Sequence, residues 1–146
     1  MIYTPQTKTA MKIVFDAHKA GFDKGKMSYI YHPIHLAEQM ETETQICAAL
    51  LHDVVEDSNW TLNRLRFRGI SEEVIDIVRL LTHNKGEPYA DYIATIKHSL
   101  NTDAIKIKIA DLEHNMDLSR YRWDDGEEMK ASKKYLAAYK SLHEWD

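Results

Sequence analysis

The sequence predicts an all-α helical bundle folded as one domain over residues 1–146. Apolar residues recur three and four apart in one segment after another, and capping or breaking residues bound those segments. Only one segment alternates like a strand, and it has no evident partner. With 146 residues, 44% of them hydrophobic, the chain can bury one sizeable core but not two comfortable ones.

Met11, Val14, Phe15 and His18 give the first helix, over 8–20, which Gly21 stops. Pro33 fits the first turn of a second helix through Leu36, Ala37 and Met40, with Glu41 and Glu43 marking its end. Thr44 is the expected N-cap of a third, apolar helix from Ile46 to Val55. After Gly69, Ser71 caps a helix whose first turn carries Glu72 and Glu73, with Ile70 and Ile75 as a hydrophobic staple. Tyr89, Tyr92, Ile93 and Ile96 form a further helical stripe. Ile105 to Ile109 alternates as a strand would, yet a lone strand leaves its backbone groups unpaired, so a helix is expected there too. Asp125 and Glu128 suggest a capping box before Met129, Ser132, Leu136, Tyr139 and His143.

A net charge of -4 gives no global basic field, which argues against a nucleic-acid polymer as partner. Lys8, Lys12, Lys19, Lys24 and Lys26 against Asp16 and Asp23 nonetheless leave +3 within residues 8–26, a segment suited to an anionic ligand. The lone cysteine, Cys47, excludes an internal disulfide and a multi-cysteine metal site, and is read as core. With neither a signal-peptide core nor an apolar run of membrane-spanning length, the expected location is the cytoplasm.

The apolar stretch Ala48 to Leu51 suddenly gives way to His52, Asp53, Glu56 and Asp57, polar groups that helical spacing sets on adjoining faces. A second cluster follows Lys108, with Asp111 and Asn115 four apart, and His32 stands at the mouth of a helix. Two imidazoles and two carboxylates suit Mn, Fe, Zn or a similar divalent ion. Such an ion acidifies water and polarises a phosphoryl oxygen while a nearby carboxylate moves protons, which is what phosphoester hydrolysis needs. Among the other histidines, His18 is read as core, and His35, His83, His98 and His143 as helix-surface residues. His114 is either a partner of the metal ligands or structural, and Tyr89 and Tyr92 are read as core.

Five ordered motifs carry a resemblance: Ala17-His18, Tyr29 to Pro33, Ala48 to Asp57, Leu80 to Thr82, and Lys108 to Met116. Over residues 10–117 the chain resembles the hydrolase domain of the RelA/SpoT family, whose members remove the 3′-pyrophosphate of ppGpp using Mn2+ on an all-helical HD fold. The resemblance implies His32, His52, Asp53 and Asp111 as metal ligands, and Glu56 with Asp57 as the acidic pair that handles the attacking water. It matches Asn115 to the asparagine of the nucleotide site. Where the family commonly carries Arg-Lys the chain has Asp23-Lys24, so Lys24 is the expected substrate-binding cation. Met116-Asp117-Leu118 stands where Met-Arg-Thr is usual. A carboxylate at position 23 is expected to repel phosphate, so that Asp23→Arg would improve use of ppGpp. The leading function is hydrolysis of ppGpp or a related nucleotide with a phosphorylated ribose. An HD phosphohydrolase acting on another nucleotide or small phosphoester is the alternative, and a non-catalytic metal- or nucleotide-binding module is a third reading.

Overall fold

The computed structural model describes residues 1–23, 27–120 and 127–144. Among the described residues there is no strand, only an isolated antiparallel bridge between Phe22 and Ser28. The helices are α1 (Pro5–His18), α2 (Tyr31–Glu38), α3 (Glu43–Leu51), α4 (Val54–Asp57), α5 (Leu62–Phe67), α6 (Glu72–Leu81), α7 (Tyr89–His98), α8 (Thr102–Asn115) and α9 (Glu127–His143). A 3₁₀ turn, Leu118–Arg120, follows α8.

Helix α1 starts earlier than its apolar stripe suggests, because Thr4 and Thr7 cap it reciprocally: each hydroxyl accepts the other residue's backbone N–H, at 2.7 and 3.1 Å. Thr42, not Thr44, is the N-cap of α3, its hydroxyl accepting Gln45 N–H at 3.1 Å. Ser71 caps α6 as expected, and Ile70 and Ile75 are both buried there. Helix α5 has no counterpart in the sequence reading; Thr61 caps its start, and Gly69 ends it at a positive φ that disfavours other residues.

Helix α3 is buried on every side from Ile46 to Leu51 and packs against α1, α2, α6 and α8. A helix apolar all round belongs inside a core, and here it is the axis of the bundle. The alternating segment 105–109 lies within α8: Asn101 caps the helix, and Ala104, Ile107, Lys108, Asp111 and Leu112 are its buried positions. Tertiary packing thus overrides the local alternation. Asp125 lies outside the described residues, as do the side chains of Glu128, Met129 and Ser132, although α9 spans the expected stretch.

The expected continuous helix from Ile46 to Val55 does not form. It breaks at His52 and Asp53, where Asp53 adopts φ -107°, ψ 0°, and α4 restarts at Val54. That break turns two consecutive polar side chains out of a core helix and towards the N-terminus of α2 and the last turns of α8.

Candidate metal centre

His52 is 2% exposed, and its Nδ1 lies 2.7 Å from the carbonyl of Ala49, one turn back. An Nδ1–H donated there turns Nε2 inward, towards the two carboxylates. Nε2 lies 3.0 Å from Asp53 Oδ2 and 3.5 Å from Asp111 Oδ1, yet it is fully buried without a hydrogen bond of good geometry. His32, also buried, places Nε2 2.7 Å from Asp111 Oδ1, while its Nδ1 lies 2.7 Å from His114 Nδ1. The ligand atoms offered by His32, His52 and Asp53 lie within 4.8 Å of one another. The two imidazoles, Asp53 and Asp111 are therefore brought together.

Charge in this cluster is set by competition between burial and neighbours. Burial alone would strip the proton from His52, but Asp53 and Asp111 outweigh it and hold the imidazole well above its ordinary value. Burial pushes Asp53 up, and His52 pulls it down to about 2. Asp111 is held well below the usual carboxylate range against its burial, first by Lys108 and then by His32 and His52. The two carboxylates thus remain charged only with cations beside them. A divalent ion would supply that charge in place of the imidazole protons, and the inward Nε2 atoms and carboxylate oxygens are the mixed donor set that such an ion takes. The residues present fit the group.

Lys108 and Tyr29 belong to this arrangement without being evident as such from sequence, and His114 takes the first of the two roles the sequence leaves open for it. Lys108, 8% exposed, donates to Asp111 Oδ2 at 2.8 Å, its ammonium 5.0 Å from the Tyr92 ring centre. The Tyr29 hydroxyl donates to Asp53 Oδ2. His114 stacks on His35 at 4.0 Å between ring centres, and burial, with Arg120, His32 and His35 beside it, lowers it to about 4. Neutral His114 can accept the Nδ1–H of His32 and so turn the Nε2 lone pair of His32 inward. His18 is buried as expected, but it packs on Tyr29 beside the cluster rather than in the apolar core. His83 is not on a helix surface; it lies in the loop after α6 and faces the cavity.

A cavity of about 320 Å³ opens over the cluster. His32, Asp53, Glu56, Asp111 and Asn115 line it, while Asp57 does not. Glu56 Oε1 accepts the backbone N–H of His83. Burial, with Asp53 and Asp57 nearby, pushes Glu56 up to about 7. Asp57 is raised to about 6, first by burial and then by Asp53. Asn115 donates to Asp111 Oδ1 at 3.0 Å, so its amide braces a cluster carboxylate while facing the cavity. Lys24 lies outside the described residues.

Helices packed round a buried histidine and aspartate cluster define an all-helical domain. No protein-family model matches the chain. It is 31% identical, across 71% of its length, to the guanosine-3′,5′-bis(diphosphate) 3′-pyrophosphohydrolase of Haemophilus influenzae, and it spans 17% of that relative. It shares its fold, at a TM-score of 0.75 and 20% identity, with the solved structure of a metazoan orthologue of SpoT described as hydrolysing ppGpp and acting in starvation responses. That match covers 97% of this chain and 89% of the other. No helix among the described residues is long and apolar enough to cross a membrane.

Proposed function

We propose that the chain acts as a single-domain phosphohydrolase dependent on a divalent metal, most favourably Mn2+, that removes the 3′-pyrophosphate of ppGpp or of a related nucleotide with a phosphorylated ribose. The observation that carries this reading is the buried, unsatisfied Nε2 of His52, fixed by the Ala49 carbonyl and converging from beneath on His32, Asp53 and Asp111, which line an open cavity. These are the residues that would hold the ion. When bound, it would polarise a phosphoryl oxygen and acidify a water.

Glu56 is the proton acceptor. Its Oε1 is engaged by His83 N–H, which leaves Oε2 to take the proton of the attacking water. Partial burial, with the charges of Asp53 and Asp57 beside it, raises its proton affinity into the range a base needs near neutral pH. Asp57 supports Glu56 through charge, since it does not line the cavity. Asn115 and Lys24 remain the proposed nucleotide contacts, Asn115 with the added task of bracing Asp111.

A small phosphorylated molecule suits a cavity of about 320 Å³, and Glu56 has no purpose in a module that only binds. Asp23 and Asp117, where the resembling family has arginines, favour as second reading a phosphohydrolase acting on a less anionic nucleotide or phosphoester. A Mn2+-supplemented hydrolysis screen over ppGpp, pppGpp, nucleoside mono- and triphosphates and generic phosphoesters decides between them. The first reading expects ppGpp or pppGpp at the head of the ranking, and a nucleoside monophosphate there would replace it with the second.

A further inference from the structure

Asp23 and Arg120, 97 residues apart in the chain, meet at the rim of the cavity. Arg120 Nη2 donates to Asp23 Oδ2 at 2.9 Å, and Nη1 donates to the carbonyl of His114, at the end of α8, at 2.7 Å. The side chains of Arg120 and Asp23 are 14% and 10% exposed, and both line the cavity that holds Asp53, Glu56 and Asp111. Asp23 divides its carboxylate between two tasks. Oδ1 accepts Met27 N–H at 3.0 Å, closing the loop in which Asp23 N–H donates to the Met27 carbonyl at 2.8 Å, and Oδ2 grips the guanidinium.

This pairing alters what the carboxylate can do. An unpaired carboxylate at the rim would repel a phosphorylated ligand, but one committed to a guanidinium has most of its field cancelled. The arginine gains in turn. A long side chain on a surface loses rotamer freedom when it meets a ligand, whereas Arg120 is already held at two nitrogens before any ligand arrives. An ion pair taken partly out of water is a weak stabilising device, because desolvation offsets much of the attraction. Stability alone is therefore a poor account of a pair placed on the wall of this cavity.

We propose that Arg120 is a substrate-contacting, specificity-determining residue and that Asp23 is its positioning residue. The guanidinium that meets the non-reacting part of the nucleotide, through its donors or its planar face, comes from the segment after α8 and is aimed by the loop carboxylate. This inference rests on the phosphohydrolase reading above. It reverses the expectation for Asp23→Arg, which would set two guanidinium groups against each other and displace Arg120. Because Asp23 cancels the long-range field, Arg120 acts by contact rather than by steering, and its effect on KM should depend only weakly on salt.

The test is steady-state kinetics with Mn2+ on whichever nucleotide the unaltered protein turns over fastest, accompanied by Tm and metal content. Arg120→Ala is expected to raise KM ~10-fold with kcat within ~3-fold and metal content unchanged, as for loss of binding shared by ground and transition states. Arg120→Lys keeps the cation and stem in case the alanine variant does not fold, and it should raise KM in the same direction because the planar fork is lost. Asp23→Asn retains an oxygen for Met27 N–H but not the charge facing Arg120, and should raise KM by a smaller factor, ~3-fold. If ppGpp is turned over and KM is unchanged in every folded variant, with only Tm lowered, the pair is a structural brace and the inference falls alone. If ppGpp is inert but another nucleotide is turned over with the expected KM changes, the ppGpp assignment falls and the inference stands. No turnover of any nucleotide overturns both.

Discussion

The floor and the rim of the cavity are built from different material. At the floor and just beneath it, His32 sits in the first turn of α2, His52 and Asp53 at the α3–α4 break, and Asp111 on the buried face of α8, locked by helix packing and by bonds to Ala49, His114, Lys108 and Asn115. At the rim, Asp23 lies in the loop after α1 and Arg120 in the 3₁₀ turn after α8, and they hold one another. A floor fixed by the core is suited to an ion that tolerates little change in ligand geometry. A rim carried by connecting segments can change partners without disturbing the fold, which is where differences in substrate are accommodated. Variants on the floor should therefore abolish activity, and variants at the rim should retune it.

The largest effect is expected from His52→Ala and Asp111→Ala, each of which should lose bound metal and all detectable turnover by elemental analysis and assay. They should differ in stability. Asp111→Ala strands Lys108 in the interior and should destabilise by ~3–5 kcal/mol in denaturant unfolding, the range for a broken buried ion pair, whereas His52→Ala should lose much less. Equal stability in the two variants would mean that Lys108 finds another partner.

Glu56→Gln comes next. It should keep its metal and lose turnover by ~10²-fold or more. The base works as a carboxylate, and burial pushes Glu56 up to about 7 in the metal-free protein, so activity should rise with pH. A bound cation favours the charged form, so the acid limb of kcat/KM should fall at or below about 7 and vanish in the glutamine variant. A limb that survives the substitution would assign the base elsewhere. Asp57→Asn sharpens the contrast between the paired acids: acting through charge alone, it should lower kcat by less than ~10-fold and shift the Glu56 limb to lower pH.

The smallest effect concerns stability of the metal-free protein. Burial holds His114 down at about 4, against an ordinary 6.5. Folding therefore favours the neutral ring, and that contribution is present above about 6.5 and lost as pH falls towards 4. His114→Gln should flatten the pH dependence of Tm across that window by a few degrees, and an unchanged slope would place the ring in water.

The same contrast separates what the sequence reveals from what it hides. Cluster residues stand out because polar groups interrupt apolar helices, and burying them without a purpose is unfavourable: His52 after Leu51, and Asp111 before Leu112. The helical class is legible from caps and periodicity, and α6 forms as its Ser71 cap and charged first turn imply. The break at His52 is not legible, since Ala48 to Val55 holds no glycine or proline to mark an end, and only the tertiary structure shows that the ligands leave the helix there. Lys108 hides in an alternating segment, and its burial follows from the register of α8. The Asp23–Arg120 pair joins residues 97 apart with no shared periodicity, so Asp23 reads as a repulsive charge until its partner is seen.

Direct assay of product is the most decisive measurement. Mn2+-loaded protein incubated with ppGpp, and followed by phosphorus NMR, should release inorganic pyrophosphate and GDP, with water supplying the oxygen that replaces the 3′-ester bond. The His52→Ala protein, folded but free of metal, should leave ppGpp intact. Stoichiometric metal on the unaltered protein together with intact ppGpp, or equal pyrophosphate release from the His52→Ala protein, would contradict the account.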